Sequence, residues 1–429
     1  MKKKVLIGMT AAVLALTACG SVTEGTKNGK SKPVKMSAQI LSAETPAEQV
    51  EPSQSEQFKK GVAAFSTGFF KQVMAQNDGG NVLVSPESVL MCMGMVANGA
   101  EGETLDELTG TLAGGDLATL NSGAKAWYVN QNDPENAELF KISNANSAWI
   151  KQVEGFNVKQ DYINTVSDVF GAEIALAPFD SSTVKDINSW CSSKTDGMIP
   201  SLQGDLPESA KMVLINAICF DAEWAETYDE YQCADGSFTA ADGSVRNVTM
   251  LSSTESQYVE DDKATGFVKY YDGGYAFMAV LPKEGISVSD YAASMDGDTL
   301  ATLFDCKSAK YDVSAKLPEF SYDWDGDIKN TLADMGIKQA FNSETAQFHG
   351  MTEDTDLYID KVIHKTHIEL DRNGTKAAAA TAAMMKDAAM IAEEKETKEV
   401  ILDRPFIYSI IDTKSGLPVF IGCVNDING

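Results

Sequence analysis

Three histidines, His349, His364 and His367, are the whole imidazole supply of this 429-residue chain, so a catalytic triad or a histidine metal site has little to draw on. His364 and His367, with Glu369, invite a zinc reading. On a strand, however, a spacing of three turns the two rings to opposite faces, and one ion cannot take both. No metal site is expected. Asp323-Trp324-Asp325-Gly326-Asp327 has part of the acidic spacing of a calcium loop but lacks the closing bidentate Glu, and it reads as a polar turn. The chain carries no Gly-x-Ser-x-Gly, no His-Glu-x-x-His and no phosphate loop. An enzyme, a lipoprotein hydrolase included, is therefore the weakest class, and no cofactor is expected.

One cysteine has chemistry written into its surroundings. Lys2, Lys3 and Lys4 precede an apolar run, Val5 to Leu16, that closes in Leu16-Thr17-Ala18-Cys19-Gly20. The run is shorter than the ~20 residues a permanent membrane helix needs, and small residues follow it, so residues 1–18 read as a cleaved secretory signal. Leu-Thr-Ala-Cys resembles the bacterial lipobox, which implies that Cys19 becomes the first mature residue and carries acyl chains. The expected location is extracytoplasmic, lipid-anchored to the cell membrane or secreted after release. Residues 19–56, rich in Ser, Thr, Lys, Gln and Glu without apolar period, read as a flexible tether. The other cysteines, Cys92, Cys191, Cys219, Cys233, Cys306 and Cys423, show no paired metal spacing and read mainly as buried free thiols, with disulfides left open. A net charge of −27 excludes nucleic acid and anionic lipid surfaces as partners and favours basic or neutral ones.

Residues 57–429 contain nothing resembling a linker and read as one domain. Phe58, Val62, Phe65, Phe69 and Val73 recur at helical spacing; Ser85-Pro86 opens a second helix with Val89, Met93 and Val96 on one face, and Thr104 to Leu108 opens a third. Later segments read as strands: Met212 to Phe220, Tyr275 to Leu281, and Val313 to Phe320 with Pro318 interrupting it. Phe406–Ile411 and Leu417–Val424, joined by a turn-forming Asp412 to Gly416, read as an antiparallel pair. Helices first and strands later make the fold α+β.

The stretch Gly374, Thr375, Lys376, Ala377, Ala378, Ala379, Ala380, Thr381, Ala382 and Ala383 fits neither pattern. Its helix propensity is high, but it has almost nothing to bury. As an extended strand it puts Thr375, Ala377, Ala379, Thr381 and Ala383 on one face and keeps Lys376 on the other. Such a strand could slide between two existing strands with no bulky side chain in the way.

In chain order from about Phe58 onward, the sequence resembles the serpin family. Asn81-Val82-Leu83-Val84-Ser85-Pro86-Glu87-Ser88, then Gly99-Ala100-Glu101-Gly102-Glu103-Thr104, is similar to the family's second helix and following turn. Ile187-Asn188-Ser189-Trp190 with Thr195-Asp196-Gly197-Met198-Ile199 resembles its helix F exit. Leu214 to Phe220 with Trp224 resembles the central strand of its main sheet, and Asp403-Arg404-Pro405-Phe406-Ile407-Tyr408 its C-terminal signature. The resemblance implies helices packed on a large mixed sheet plus smaller sheets, with an exposed reactive-centre loop over about residues 374–398. It implies a monomeric inhibitor whose loop is cut by a protease and inserts as a new strand before the acyl-enzyme can hydrolyse.

Along the family's hinge spacing the cut bond falls at Ala388-Ala389, with Met385-Lys386, Lys386-Asp387 and Met390-Ile391 as alternatives. Ala388 before the cut implies a small specificity pocket and an elastase-like serine protease; Lys386 would imply a trypsin-like enzyme, and subtilisin-like or papain-like targets stay open. A non-inhibitory serpin acting as a surface binding protein is the competing class. The family's hinge-proximal Glu and its Lys partner are replaced by Arg372 and Glu319, which implies a charge-swapped ion pair in the breach, where Trp224 also lies. His364 falls at the family's shutter histidine, implying a neutral imidazole hydrogen-bonded near Ser85, Ser88 and Asn216.

Overall fold

The computed structural model describes residues 21–23, 33–45, 49–113, 115–134, 136, 139–199, 201, 206, 210–353, 357–375 and 395–428. Cys19, Lys376 to Ala382 of the hinge, and every candidate bond from Met385 to Ile391 lie outside them.

The chain opens with three short strands, β1 (Ser21–Thr23), β2 (Pro33–Lys35) and β3 (Gln39–Ile40). Met36 and Ala38 are buried while Ser37 between them faces solvent, and the amides of Ser37 and Ala38 both donate to Asp186 Oδ2, at 2.7 and 2.8 Å. The tether expected over residues 19–56 is corrected for Met36 to Ile40, which pack on the domain because alternate apolar residues find a sheet edge to cover.

Helix α1 (Glu56–Gln76) starts where Ser55 Oγ accepts from the Phe58 amide, and buries Phe58, Val62, Phe65, Phe69 and Val73. After β4 (Val82–Val84), helix α2 (Pro86–Ala97) is buried along its whole length. Ser85 caps α2 by accepting from the Ser88 amide, and Pro86 occupies the first turn, where no amide partner is lost. Helix α3 (Gly102–Leu112) begins two residues ahead of Thr104. Then follow α4 (Leu117–Gln131), β5 (Phe140–Lys151), α5 (Gln160–Phe170), β6 (Glu173–Ala177), α6 (Ser181–Lys194) and β7 (Met212–Glu223). The second half runs β8 (Cys233–Thr239), β9 (Val245–Glu255), β10 (Gln257–Glu260), β11 (Ala264–Tyr270), β12 (Tyr275–Pro282), α7 (Val288–Ser294) and α8 (Thr299–Asp305). It closes with β13 (Tyr311–Pro318), β14 (Phe320–Asp327), α9 (Lys329–Asp334), β15 (Ile359–Leu370), β16 (Gly374–Thr375), β17 (Glu396–Ile401), β18 (Phe406–Asp412) and β19 (Leu417–Val424).

The main sheet runs β14-β15-β16-β7-β5-β6-β3, a second sheet β10-β11-β12-β18-β19-β4, and a third β17-β13-β9-β8. Strand β7 reads as an unbroken apolar run because both its faces are covered. Met212 and Leu214 join the helical core, while Val213, Ile215, Ala217 and Cys219 pack beneath α6. The polar turn expected at Asp323 to Asp327 is instead strand: these residues pair antiparallel with His367 to Ile363 of β15. Alternation explains it, since Tyr322 turns in while Asp323 and Asp325 turn out at a sheet edge. Pro318 is the last residue of β13, and Glu319 separates it from β14. Of the six cysteines within the described residues, Cys92, Cys191, Cys219 and Cys423 are buried, Cys233 is half-buried and Cys306 is exposed, with no disulfide among them.

Candidate functional site at the strand seam

Strands β15 and β7 are parallel neighbours, paired from Ile359 with Met212 up to His367 with Cys219. Above that point they diverge, and β16 occupies the gap, antiparallel to both: Thr375 pairs with Leu370 on one side and Ala222 on the other. Gly374 sits opposite Glu223, where any Cβ would stand 2.2 Å from the carbonyl oxygen of Ala222. Only glycine lets the chain enter the sheet this closely.

Halfway down the seam, His364 and Asn216 are partners in register. His364 is fully buried; its Nε2 accepts from the Ser85 amide at 3.0 Å and its Nδ1 lies 2.5 Å from Asn216 Oδ1. Nε2 therefore carries the lone pair and Nδ1 the proton. Asn216 Nδ2 donates to the Ser88 carbonyl at 2.9 Å and to Asn146 Oδ1 at 2.7 Å, and Ser85 Oγ donates to the Val419 carbonyl at 2.7 Å. Burial pushes the His364 pKa down to about 3, in keeping with a ring that must stay neutral to accept from Ser85. Ser85, Ser88, Asn216 and His364, singled out from sequence, are one hydrogen-bonded cluster spanning α2, β7 and β15.

At the top of the seam Trp224 is buried and stacks on Tyr271, ring centroids 4.1 Å apart. Its Nε1 donates to the Asp371 carbonyl at 3.0 Å and its amide to the Asn373 carbonyl at 2.8 Å. Tyr271 and Thr375 join hydroxyl to hydroxyl at 2.6 Å. The residues just before the hinge are thus held by Trp224 and Tyr271. The swapped pair expected between Arg372 and Glu319 is corrected: among the described residues no ion pair within 4.0 Å joins them. Arg372 is exposed, its carbonyl is held by the Tyr228 amide at 2.9 Å, and Glu319 is only half-buried. With both side chains reaching water, fixing them together offers little.

The buried charge pair of this region is one the sequence did not disclose. Lys269 of β11 meets Glu255 of β9 at 3.1 Å with the lysine side chain 4% exposed. The ammonium also lies over the rings of Tyr228 and Trp224, at 4.4 and 5.5 Å. The only sequence signal was a lysine amid the apolar β11, and its partners come from three other segments.

A family model for Serpin (serine protease inhibitor) matches residues 60–427. This chain belongs to the serpin family. It is 28% identical over 366 residues to an uncharacterized serpin-like protein of Thermococcus kodakarensis, covering 84% of each chain. It is 26% identical over 381 residues to the leukocyte elastase inhibitor of Homo sapiens, covering 86% of this chain and 98% of that one. Among solved structures it is similar to the thermophilic serpin tengpin in its native state, with a TM-score of 0.82 and 35% identity over 91% of this chain and 100% of the other. As the sequence led one to expect, the serpin fold is present: helices, a large mixed sheet and smaller ones.

Proposed function

We propose that this serpin traps an extracytoplasmic serine protease covalently, by inserting its cleaved loop between β15 and β7, while a lipid on Cys19 keeps it at the membrane of the producing cell. The observation that supports this most is β16, two residues of a strand already antiparallel to both walls of the seam. If its register continued on insertion, Thr381 would lie between Asn216 and His364, and Met385 opposite Met212 at the foot of the seam. Ala377, Ala379, Thr381 and Ala383 would then face the core, each small enough to pass beneath the sheet. Lys376 would face out, flanked by Asp221 and Glu369. One parallel ladder is exchanged for two antiparallel ones, which supplies part of the driving force.

A cut at Ala388-Ala389 leaves Lys386 to Ala388 below the inserted strand to carry the acyl-enzyme. The small side chain of Ala388 suits an elastase-like specificity pocket, in line with the leukocyte elastase inhibitor among the relatives. The test mixes the full mature chain with pancreatic elastase, trypsin, chymotrypsin and subtilisin. We expect a complex with elastase that survives denaturing gels and a released peptide beginning at Ala389. Clean cleavage by all four proteases with no such complex would overturn the trap and favour a non-inhibitory serpin. Metabolic labelling with a fatty acid checks the anchor; an unlabelled mature protein would remove it.

A further inference from the structure

The turn that leads into β16, Asp371 to Gly374, contains an Asn-Gly pair that strand insertion itself does not use. Asparagine before glycine is the dipeptide in which a backbone nitrogen most easily reaches the preceding side-chain carbonyl carbon, because glycine has no Cβ to obstruct the approach. The turn closes with the Asp371 amide donating to the Gly374 carbonyl at 2.9 Å. Within it a single carboxylate spans the groups that would react. Asp371 Oδ1 accepts from the Gly374 amide at 3.2 Å and from the Asn373 amide at 2.7 Å, while Oδ2 accepts from Asn373 Nδ2 at 3.1 Å. The nitrogen that would attack and the nitrogen that would leave therefore rest on the same side chain. Asn373 is half-buried beside the exposed Arg372, so water reaches it. Asn98-Gly99 is the contrasting pair: the Gly99 amide donates to the Val96 carbonyl at 3.0 Å, and Asn98 Nδ2 donates to the Gly94 carbonyl and to Asn121 Oδ1, at 2.9 and 2.8 Å, with no carboxylate on either nitrogen.

We propose that Asn373 is a self-modification site, at which the hinge turn deamidates with Asp371 as the proton-transfer group. The Gly374 nitrogen forms a bond to Asn373 Cγ, Asp371 takes the N–H proton and hands it to the departing Nδ2, and the Cγ–Nδ2 bond breaks to release ammonia and leave a succinimide ring. Water then opens the ring at one carbonyl to give aspartate or at the other to give isoaspartate. One side-chain amide and one water become a carboxylate and ammonium, and nothing is oxidised or reduced. In isoaspartate the main chain runs through Cβ and Cγ, and the carbonyl that the Trp224 amide holds becomes part of a pendant carboxylate. In either product a negative group replaces the donor that faced Asp371, and two like charges share one turn. On the insertion reading above, the hinge would then lose the register of β16, and the capacity to capture a protease would decay with the age of the molecule. This consequence rests on that reading; the modification does not.

The test ages the full mature chain in neutral buffer and follows Asn373 and Asn98 by peptide mass mapping, in the folded chain, in the urea-unfolded chain and in D371N, whose native circular dichroism is first confirmed. We expect aspartate and isoaspartate at position 373 but not at position 98 in the folded chain, conversion of both in the unfolded chain, and a slowing of at least about tenfold at Asn373 in D371N, a conservative share of what a positioned acid-base group contributes. An Asn373 that stays intact in the folded chain while it converts in the unfolded one overturns the site. Equal rates in D371N and the unaltered chain overturn the part given to Asp371; if D371N does not fold, the folded and unfolded maps still decide the site. Fresh and aged samples are then mixed with protease. Capture should fall in step with the converted fraction, and in N373Q it should not change with age. Conversion with no loss of capture overturns the consequence alone. If the fresh chain captures no protease, the insertion reading fails while the mass maps still decide the modification.

Discussion

Replacing Glu87 by Gln tests the electrostatics beside the seam, because Glu87 and His364 drive stability in opposite directions with pH. Glu87 is fully buried in the first turn of α2, one residue from Ser88 of the hydrogen-bonded cluster around His364. Burial raises its pKa from 4.5 to about 8; a hydrogen bond from Gln131 opposes this and the nearby Asp412 adds to it. The native state thus holds a proton that the unfolded chain releases above pH 4.5. Stability from this group falls as pH rises from 4.5 to about 8, by 1.36 kcal/mol per unit, about 5 kcal/mol in all. For His364, burial lowers the pKa from 6.5 to about 3, so the unfolded chain binds a proton that the native state refuses. Its neighbours, the Ser85 amide, Asn216 and the rings of Phe69 and Trp324, offer no negative charge to an imidazolium. Stability from His364 is complete above pH 6.5 and falls by a similar ~5 kcal/mol as pH drops to 3.

Between pH 4.5 and 6.5 the two slopes cancel, so the pair predicts a plateau there, a decline above it owed to Glu87 and a decline below it owed to His364. The assay is urea denaturation of the wild type and E87Q from pH 3 to 9. Gln is the shape of the protonated acid and keeps the acceptor for Gln131, so E87Q should match the wild type near pH 4.5. It should then gain on the wild type steadily up to pH 8. A difference between the two chains that does not change with pH would refute the argument, since Glu87 would then be charged in the folded state.

Two further substitutions probe the seam and its top. Thr381→Arg would put a guanidinium between His364 and Asn216 in the inserted strand, at a cost of several kcal/mol, which slows insertion at least about a hundredfold. Denaturing gels should show cleavage without complex, and undiminished complex formation would mean the register continued from β16 is wrong. Lys269→Met leaves the largely buried Glu255 with a hydrogen bond from Ser253 Oγ but no counter-charge and should lower stability by about 3 kcal/mol, with most of the loss restored in K269M/E255Q. A urea midpoint unchanged in K269M would show that the pair carries no weight.

What could be read from the sequence was what repeats locally. The spacing of Phe58 to Val73 and the Ser85-Pro86 cap are signals contained within a turn or two of chain, and both elements form where they point. The hydrogen-bonded cluster of Ser85, Ser88, Asn216 and His364 was legible only through resemblance, because Ser85 and His364 are brought together by β15 lying across the start of α2, which no periodicity encodes. Asp323 to Asp327 misled because acidic residues and a glycine look like a turn, and only the β15 edge beside them makes them a strand. Arg372 and Glu319 misled differently: a reversed pair of charges conserves complementarity on paper, but each side chain reaches water.

The breach shows why that substitution of roles is physically sensible. On the insertion reading proposed above, a pair at Arg372 and Glu319 would tie the hinge itself, and a loop that moves would gain nothing from a charge it has to drag out of a bridge. In this chain the charge pair is set back, on β11 and β9, neither of which borders the seam. Lys269 holds Trp224 and Tyr228 by their rings, and those residues hold the hinge turn only through hydrogen bonds to the carbonyls of Asp371, Arg372 and Asn373. Neutral hydrogen bonds worth about 1 kcal/mol each can be exchanged for the ladder bonds of an incoming strand, whereas a buried ion pair could not be broken at so small a cost. On the insertion reading proposed above, the rigid part of the gate and the part that must yield would therefore be carried by different residues.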